Sequence, residues 1–237
     1  MNISERYSGR PADMTGRLQK EAACYDLLDA LHIPYARVDH DHADTIEACE
    51  AVETVLGEKI CKNLFLCNRQ KTDFYLLMLE GEKVFKTKDL SKQLGVSRLS
   101  FADAADMEKY LDITPGSVSI LGLMNDPDNH VRLVIDRPVY EAAAVGCHPC
   151  INTSTLCIAM RDLLDTFLPH VHHQPTVVDL PEPEAVQPSS YRYLRKRREE
   201  FHSPRRFFGF IRQCRRHSSS RNRTSRHMMV AARRTCS

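Results

Sequence analysis

Lys62-Asn63-Leu64-Phe65-Leu66-Cys67, the polar stretch Asn68-Arg69-Gln70-Lys71-Thr72-Asp73, and Phe74-Tyr75-Leu76-Leu77-Met78-Leu79 read as two apolar strands around a tight turn. Runs this short and this apolar, bounded by turn residues, are the pattern of a hairpin at the centre of a sheet. Gly81 closes the second strand.

On the N-terminal side, Leu18, Ala22, Tyr25, Leu28 and Leu31 repeat at helical spacing until Pro34, which cannot supply the next helical amide hydrogen. Tyr35 to His40 alternates as a strand. Asp44 or Thr45 can then cap a helix that runs through Leu56 and stops at Gly57.

On the C-terminal side, Lys88 to Leu94 predicts a short helix ended by Gly95, and Ala104 to Leu111 a second, with Leu99 to Phe101 extended between them. Val118 to Leu123, Arg132 to Ile135 and Ile151 to Ile158 are expected to add three strands. Arg161 to Leu168 closes the globule as an amphipathic helix that Pro169 should stop. The fold class is therefore α+β, a mixed, mostly antiparallel central sheet flanked by helices.

Three regions follow. Residues 1–17 are expected to be a flexible N-terminus, residues 18–180 a single domain, and residues 181–237 a basic, Arg/Ser-rich disordered tail. The formal net charge of +2 conceals this division. From Val186 onward there are 15 Lys and Arg against 2 Asp and Glu, a charge of +13, leaving 18 against 29 before it, or −11. Such a tail can attract RNA phosphates without regard to sequence. Its composition better suits a segment with no function, produced by altered splicing or a shifted reading frame.

Composition bounds the class. A hydrophobic share of 42% supports one ordinary core. No run of about 18 apolar residues is present to span a membrane, and residues 1–20 mix Arg6, Arg10 and Arg17 with Glu5 and Asp13 where a signal peptide would be apolar. Nine cysteines, an odd number without a repeating framework, suit reduced thiols in the cytoplasm. Cys147-His148-Pro149-Cys150 is a lone C-x-x-C pair without the second pair of a zinc ribbon, and His170, His172 and His173 lack a carboxylate or cysteine at matching spacing. Neither is taken as a metal site.

The candidate chemistry lies at strand edges. Lys62 stands at the mouth of the first hairpin strand, where a partly desolvated ammonium would stabilise an oxyanion or a phosphate; on its own it reads more readily as an exposed charge before a buried strand. Asn63 can donate and accept, although strand alternation turns it to the opposite face from Lys62. Gly146 ahead of His148-Pro149 suggests a loop whose amides approach a ligand, and Pro149 holds the histidine extended. The unperturbed pKa of His148, about 6.5, suits a proton shuttle or a hydrogen bond to substrate. Thr45 reads as a helix cap as readily as a ligand, and Asn125-Asp126-Pro127-Asp128-Asn129 as an ordinary turn.

Taken in order, Thr45 in Ala43 to Ala48, Lys62 to Leu66, Arg98 to Ala102, Gly116 to Asp126, and His148-Pro149 with Asn152-Thr153 resemble the YbaK/ProX family of freestanding aminoacyl-tRNA deacylases, over roughly Leu18 to Leu168. Within it the chain is similar to the prolyl-tRNA editing type, which removes alanine from proline tRNA. Ile120 and Leu121 depart from the family's frequent proline and aromatic, and Cys147 from its phenylalanine.

The resemblance implies a YbaK-like fold and metal-independent ester hydrolysis in the cytoplasm, with no cofactor. It implies Lys62 and His148 as catalytic residues, and Thr45, Asn63, Ser119, Gly122, Gly146, Pro149, Asn152 and Thr153 as substrate-binding ones. It further implies that the substrate's own terminal hydroxyl assists. The expected partners are mischarged tRNA-Pro, with prolyl-tRNA synthetase beside it, and neither DNA nor a membrane. Two alternatives stay open: a cysteinyl-tRNA deacylase of the same fold, and a non-catalytic module associated with tRNA or a synthetase.

Overall fold

The computed structural model describes residues 1–43 and 45–181; the expected basic tail lies outside the described residues except for its first member, Pro181. Among the described residues nine strands run in chain order: β1 Tyr7–Ser8, β2 Tyr35–Asp39, β3 Lys62–Cys67, β4 Phe74–Leu79, β5 Ser100–Phe101, β6 Val131–Asp136, β7 Ala144–Cys147, β8 Ser154–Ala159 and β9 Thr176–Val178. The helices are α1 Gln19–Ala30, α2 Ile46–Leu56, α3 Thr87–Leu94, α4 Ala104–Leu111, α5 Arg137–Tyr140, α6 Met160–Asp162 and α7 Leu168–His170.

The hairpin forms as its sequence predicts. β3 and β4 pair antiparallel from Lys62 opposite Leu79 to Cys67 opposite Phe74. Asn68 shapes the turn, its Oδ1 accepting from the amide of Thr72 at 2.9 Å. Every residue of β4 is buried because both its faces are covered. Phe74, Leu76 and Met78 join the main core with Tyr25 and Leu28 of α1, while Tyr75, Leu77 and Leu79 pack with Leu90 of α3 and Leu99.

This five-stranded sheet has the order β5-β3-β4-β6-β9, with β6 and β9 added in parallel. A second, antiparallel sheet has the order β1-β2-β8-β7. The whole is α+β with mostly antiparallel pairing, as expected, but the single predicted sheet is two sheets joined at one place. There Ile60 bridges Gly146 in parallel, the amide of Gly146 donates to the carbonyl of Lys59 at 2.7 Å, and the amide of Cys61 donates to the carbonyl of Gly146 at 3.1 Å. A Cβ on Gly146 would stand 3.0 Å from both Ile60 Cα and the Lys59 carbonyl oxygen, so the backbones can approach this closely only at glycine.

Three expectations about single elements are corrected. Residues 118–123 are not a strand: Ile120–Asn125 is a 3₁₀ helix, started by Ser119, whose Oγ accepts from the Leu121 amide at 3.2 Å. The turn is fixed by Gly116 at φ +90° and by Gly122, where any side chain would collide with Ile113. The strand expected from Ile151 begins only at Ser154, after Cys150 turns the chain at φ +59°. Pro169 does not end the last helix. The ladder widens by one π turn over Leu163–Phe167, the Leu168 amide reaching back to the Leu163 carbonyl, and the chain continues through α7.

Residues 1–17, expected to be flexible, lie along the open edge of β2. Tyr7 and Ser8 pair with Arg37 and Ala36, the Ser4 amide donates to the Asp39 carbonyl at 2.8 Å, and Arg17 pairs with Asp39 at 2.7 Å. Unpaired groups on that edge supply the partners.

Candidate functional site

A cavity of about 790 Å³ opens where β3 begins. One wall is Thr45 and Cys49 of α2 and its cap. The floor is Ile60, Cys61, Lys62 and Asn63. Lys83 and the turn after β4 form the second wall, and Val118, Val139, Ala142, Ala144, Val145 and His148 the third. Lys62 and His148 therefore share one space.

Lys62 is half-buried and donates from Nζ to the carbonyl oxygen of Lys83 at 3.0 Å. Among the described residues no carboxylate lies within ion-pair distance of it, so its charge remains available to an incoming anion. The side chain of Lys83 turns away into a buried pair with Asp136, 2.8 Å from Nζ to Oδ2, at exposures of 2% and 0%. Asp136 Oδ1 accepts from the Leu180 amide at 2.9 Å. Lys62 shares its face of β3 with Leu64 and Leu66, and Asn63 shares the other with Phe65. Both reach the cavity because it lies across the end of the strand.

Asn63 Nδ2 donates to the carbonyl of Cys61 at 3.2 Å. Burial pushes the Cys61 thiol up to about 11, which makes it an uncharged wall beside the ammonium. Thr45 serves as cap and wall together, its Oγ1 accepting from the Ala48 amide at 3.2 Å.

His148 is buried on its inner side. Its Nδ1 lies 3.0 Å from the Ser154 carbonyl oxygen and 3.3 Å from Thr155 Oγ1. Burial drives its pKa down to about 4, against the pull of the Ser154 carbonyl and with the help of His40. Near neutral pH it is an uncharged imidazole, an acceptor rather than a strong base.

The other six candidates stand around this space without being among its lining residues. Ser119 and Gly122 are buried in the 3₁₀ helix. Gly146 belongs to β7 with its amide already bonded to Lys59, so it offers no loop amide to a ligand. Pro149 is buried behind His148. Asn152 Oδ1 accepts from the Ala43 amide at 3.3 Å, and the Thr153 carbonyl from the His40 amide at 2.9 Å, holding the approach to α2. Among the residues that the sequence reading passed over are Lys83, Gly116, the small apolar wall of Val118, Val139, Ala142, Ala144 and Val145, and the lining glutamates Glu50, Glu53, Glu58, Glu80 and Glu82. The hairpin register carried a signal for Lys83, since pairing Lys62 with Leu79 brings the turn after β4 across from the Lys62 ammonium.

An ammonium bonded only to a neutral carbonyl among the described residues, a neutral acceptor and a small apolar wall, in a cavity that glutamates also line, can together bind a compact group carrying both a carbonyl and a hydrogen-bond donor, and stabilise negative charge on its oxygen.

The model of the aminoacyl-tRNA editing domain family matches residues 40–166. The prolyl-tRNA editing protein ProX of Acetoanaerobium sticklandii is 34% identical over 136 residues, which cover 57% of this chain and 83% of that protein. Prolyl-tRNA synthetase associated domain-containing protein 1 of Bos taurus is 32% identical over 162 residues, covering 67% and 94%. In fold, the chain is similar to a crystal structure of a candidate trans-editing enzyme for prolyl tRNA synthetase, with a TM-score of 0.52 at 14% identity over 70% of this chain and 99% of that one.

Proposed function

The chain belongs to the aminoacyl-tRNA editing domain family, and from that premise we propose that it is a trans-acting deacylase that hydrolyses the ester of mischarged tRNA-Pro, alanyl-tRNA-Pro above all. The observation that carries this reading is the common cavity of Lys62 and His148, residues far apart in sequence.

In this reading Lys62 faces the carbonyl oxygen of the ester or the adjoining phosphate, where a half-desolvated ammonium is worth more than one in bulk water. His148 accepts a hydrogen bond from the aminoacyl-ribose end. The substrate's terminal hydroxyl assists the attacking water, so positioning counts for more than a strong protein base. No step needs a metal or a cofactor. The cavity falls within the usual range for ligand pockets, about 300 to 1,000 Å³, and has room for a terminal nucleoside with a small acyl group. A methylene of favourable contact is worth only about 1 to 3 kcal/mol, so the wall of Val118, Val139 and Val145 rejects proline by overlap rather than by weaker binding. Prolyl-tRNA synthetase is the partner that would hand on the mischarged tRNA. We place the activity in the cytosol, a reading supported by nine cysteines in an odd number without a repeating framework.

Single-turnover release of amino acid from alanyl-, cysteinyl- and seryl-tRNA-Pro tests the proposal. Alanine should leave fastest; faster cysteine would point to a cysteinyl-tRNA deacylase, and no release from any of the three to a non-catalytic module. The acid limb of the rate should also be displaced. With His148 neutral down to about pH 4, activity should persist as pH falls through 6.5 and decline only toward 4. A midpoint near 6.5, after subtraction of spontaneous hydrolysis, would remove neutral His148 from the scheme.

A further inference from the structure

Behind the cavity wall, two buried imidazoles and a threonine form a chain whose protons can be assigned from the polarity of its ends. His40 Nδ1 lies 2.7 Å from the Asp41 carbonyl oxygen, which can only accept, so Nδ1 carries hydrogen. His40 Nε2 lies 2.8 Å from Thr155 Oγ1. Burial lowers the pKa of His40, so the ring is neutral, and with its hydrogen on Nδ1 it accepts the threonine hydroxyl at Nε2. That bond uses the only proton of Thr155 and leaves Oγ1 an acceptor toward His148. His148 Nδ1 thus faces two acceptors, the Ser154 carbonyl and Thr155 Oγ1, and must be protonated. Its Nε2 is left bare, without a protein partner among the described residues, on a ring that lines the cavity. The two rings sit 6.1 Å apart, close enough for a charge on one to oppose a charge on the other.

We infer that Thr155 and His40 are positioning residues, which add a second acceptor to the Ser154 carbonyl at Nδ1 and so hold the His148 ring in the one tautomer and orientation whose bare Nε2 receives a hydrogen-bond donor from the aminoacyl-ribose end of the substrate. The donor is the free α-ammonium of the acyl group or a ribose hydroxyl, and this part rests on the deacylase reading. The tautomer does not.

Nitrogen-15 NMR of the full chain labelled at histidine reads the first part directly. His148 should show a protonated Nδ1 and a bare Nε2; a proton on Nε2 would overturn the inference. Thr155→Val, nearly isosteric, removes the hydroxyl and leaves the Ser154 carbonyl as the remaining acceptor at Nδ1, so the tautomer bias should weaken and a minor Nε2-protonated form should grow in, whereas Thr155→Ser should keep the unmodified spectrum. Binding of a hydrolysis-resistant, amide-linked alanyl acceptor stem should weaken about tenfold in Thr155→Val, the loss of roughly one hydrogen bond, and stay within about twofold in Thr155→Ser. Replacement of the alanyl group by propionyl, which carries no amine, and removal of the terminal ribose hydroxyl separate the two donors. The difference between Thr155→Val and the unmodified protein should vanish on the analogue that lacks the donor; its persistence on both would overturn the inference. Absence of turnover on every charged tRNA would sink the deacylase reading alone, since the spectrum does not depend on catalysis.

Discussion

Lys62→Ala should lower single-turnover release of alanine by about 10² to 10³-fold, the usual effect of removing one preorganised charge donor from a developing oxyanion. The side chain is half-buried, and its one bond among the described residues is to a neutral carbonyl, so the charge is neither screened by bulk water nor spent on a described carboxylate. The same economy of contacts means that the fold should be little affected, with a melting temperature within a few degrees of the unmodified chain. Lys62→Arg should not restore the rate, because a planar guanidinium cannot take the place of a compact ammonium 3.0 Å from the Lys83 carbonyl. A Lys62→Ala rate within about twofold of the original would remove Lys62 from the mechanism.

The largest effect on stability should come from Lys83→Met. Asp136 would remain at zero exposure without its cation, and breaking a buried pair from one side costs about 3 to 5 kcal/mol. For a domain of this size that is a fall of roughly 6 to 20 °C in melting temperature. Adding Asp136→Asn should recover most of the loss, since it removes the stranded charge yet keeps the Oδ1 acceptor for the Leu180 amide. A thermal melt of the three variants decides the matter: a Lys83→Met chain within about 1 kcal/mol of the original would show that the pair contributes little. The double variant also separates fold from site, because the Lys83 carbonyl that holds Lys62 survives in it.

Much of the fold was legible wherever chemistry was local. Gly57 and Gly95 end their helices at φ +78° and +65°, conformations that favour glycine, and Thr45 caps α2 with its own hydroxyl. The hairpin declared itself through an apolar run bounded by Asn68 and Asp73. What stayed hidden depends on distant contacts. Ile120 to Leu123 is apolar enough for a strand, but its curl is imposed by the end of α4 pressing on Gly122. β7 is short and contains a glycine, so its pairing was not visible as a pattern. At the site, Lys62 and His148 stood out through family resemblance, whereas Val139 and Val145 are brought to the cavity by tertiary folding alone.

The bridge between Ile60 and Gly146 has a geometric meaning. The two chains cross it in the same direction, and Lys62 and His148 each follow it by two residues. The ammonium and the imidazole are thus spaced like two rungs counted from one rivet, and the rivet is main chain. Side chains elsewhere in either layer can be exchanged, enlarged or trimmed while this spacing persists. A lineage could therefore retune which acyl group fits without disturbing the gauge between its two polar jaws.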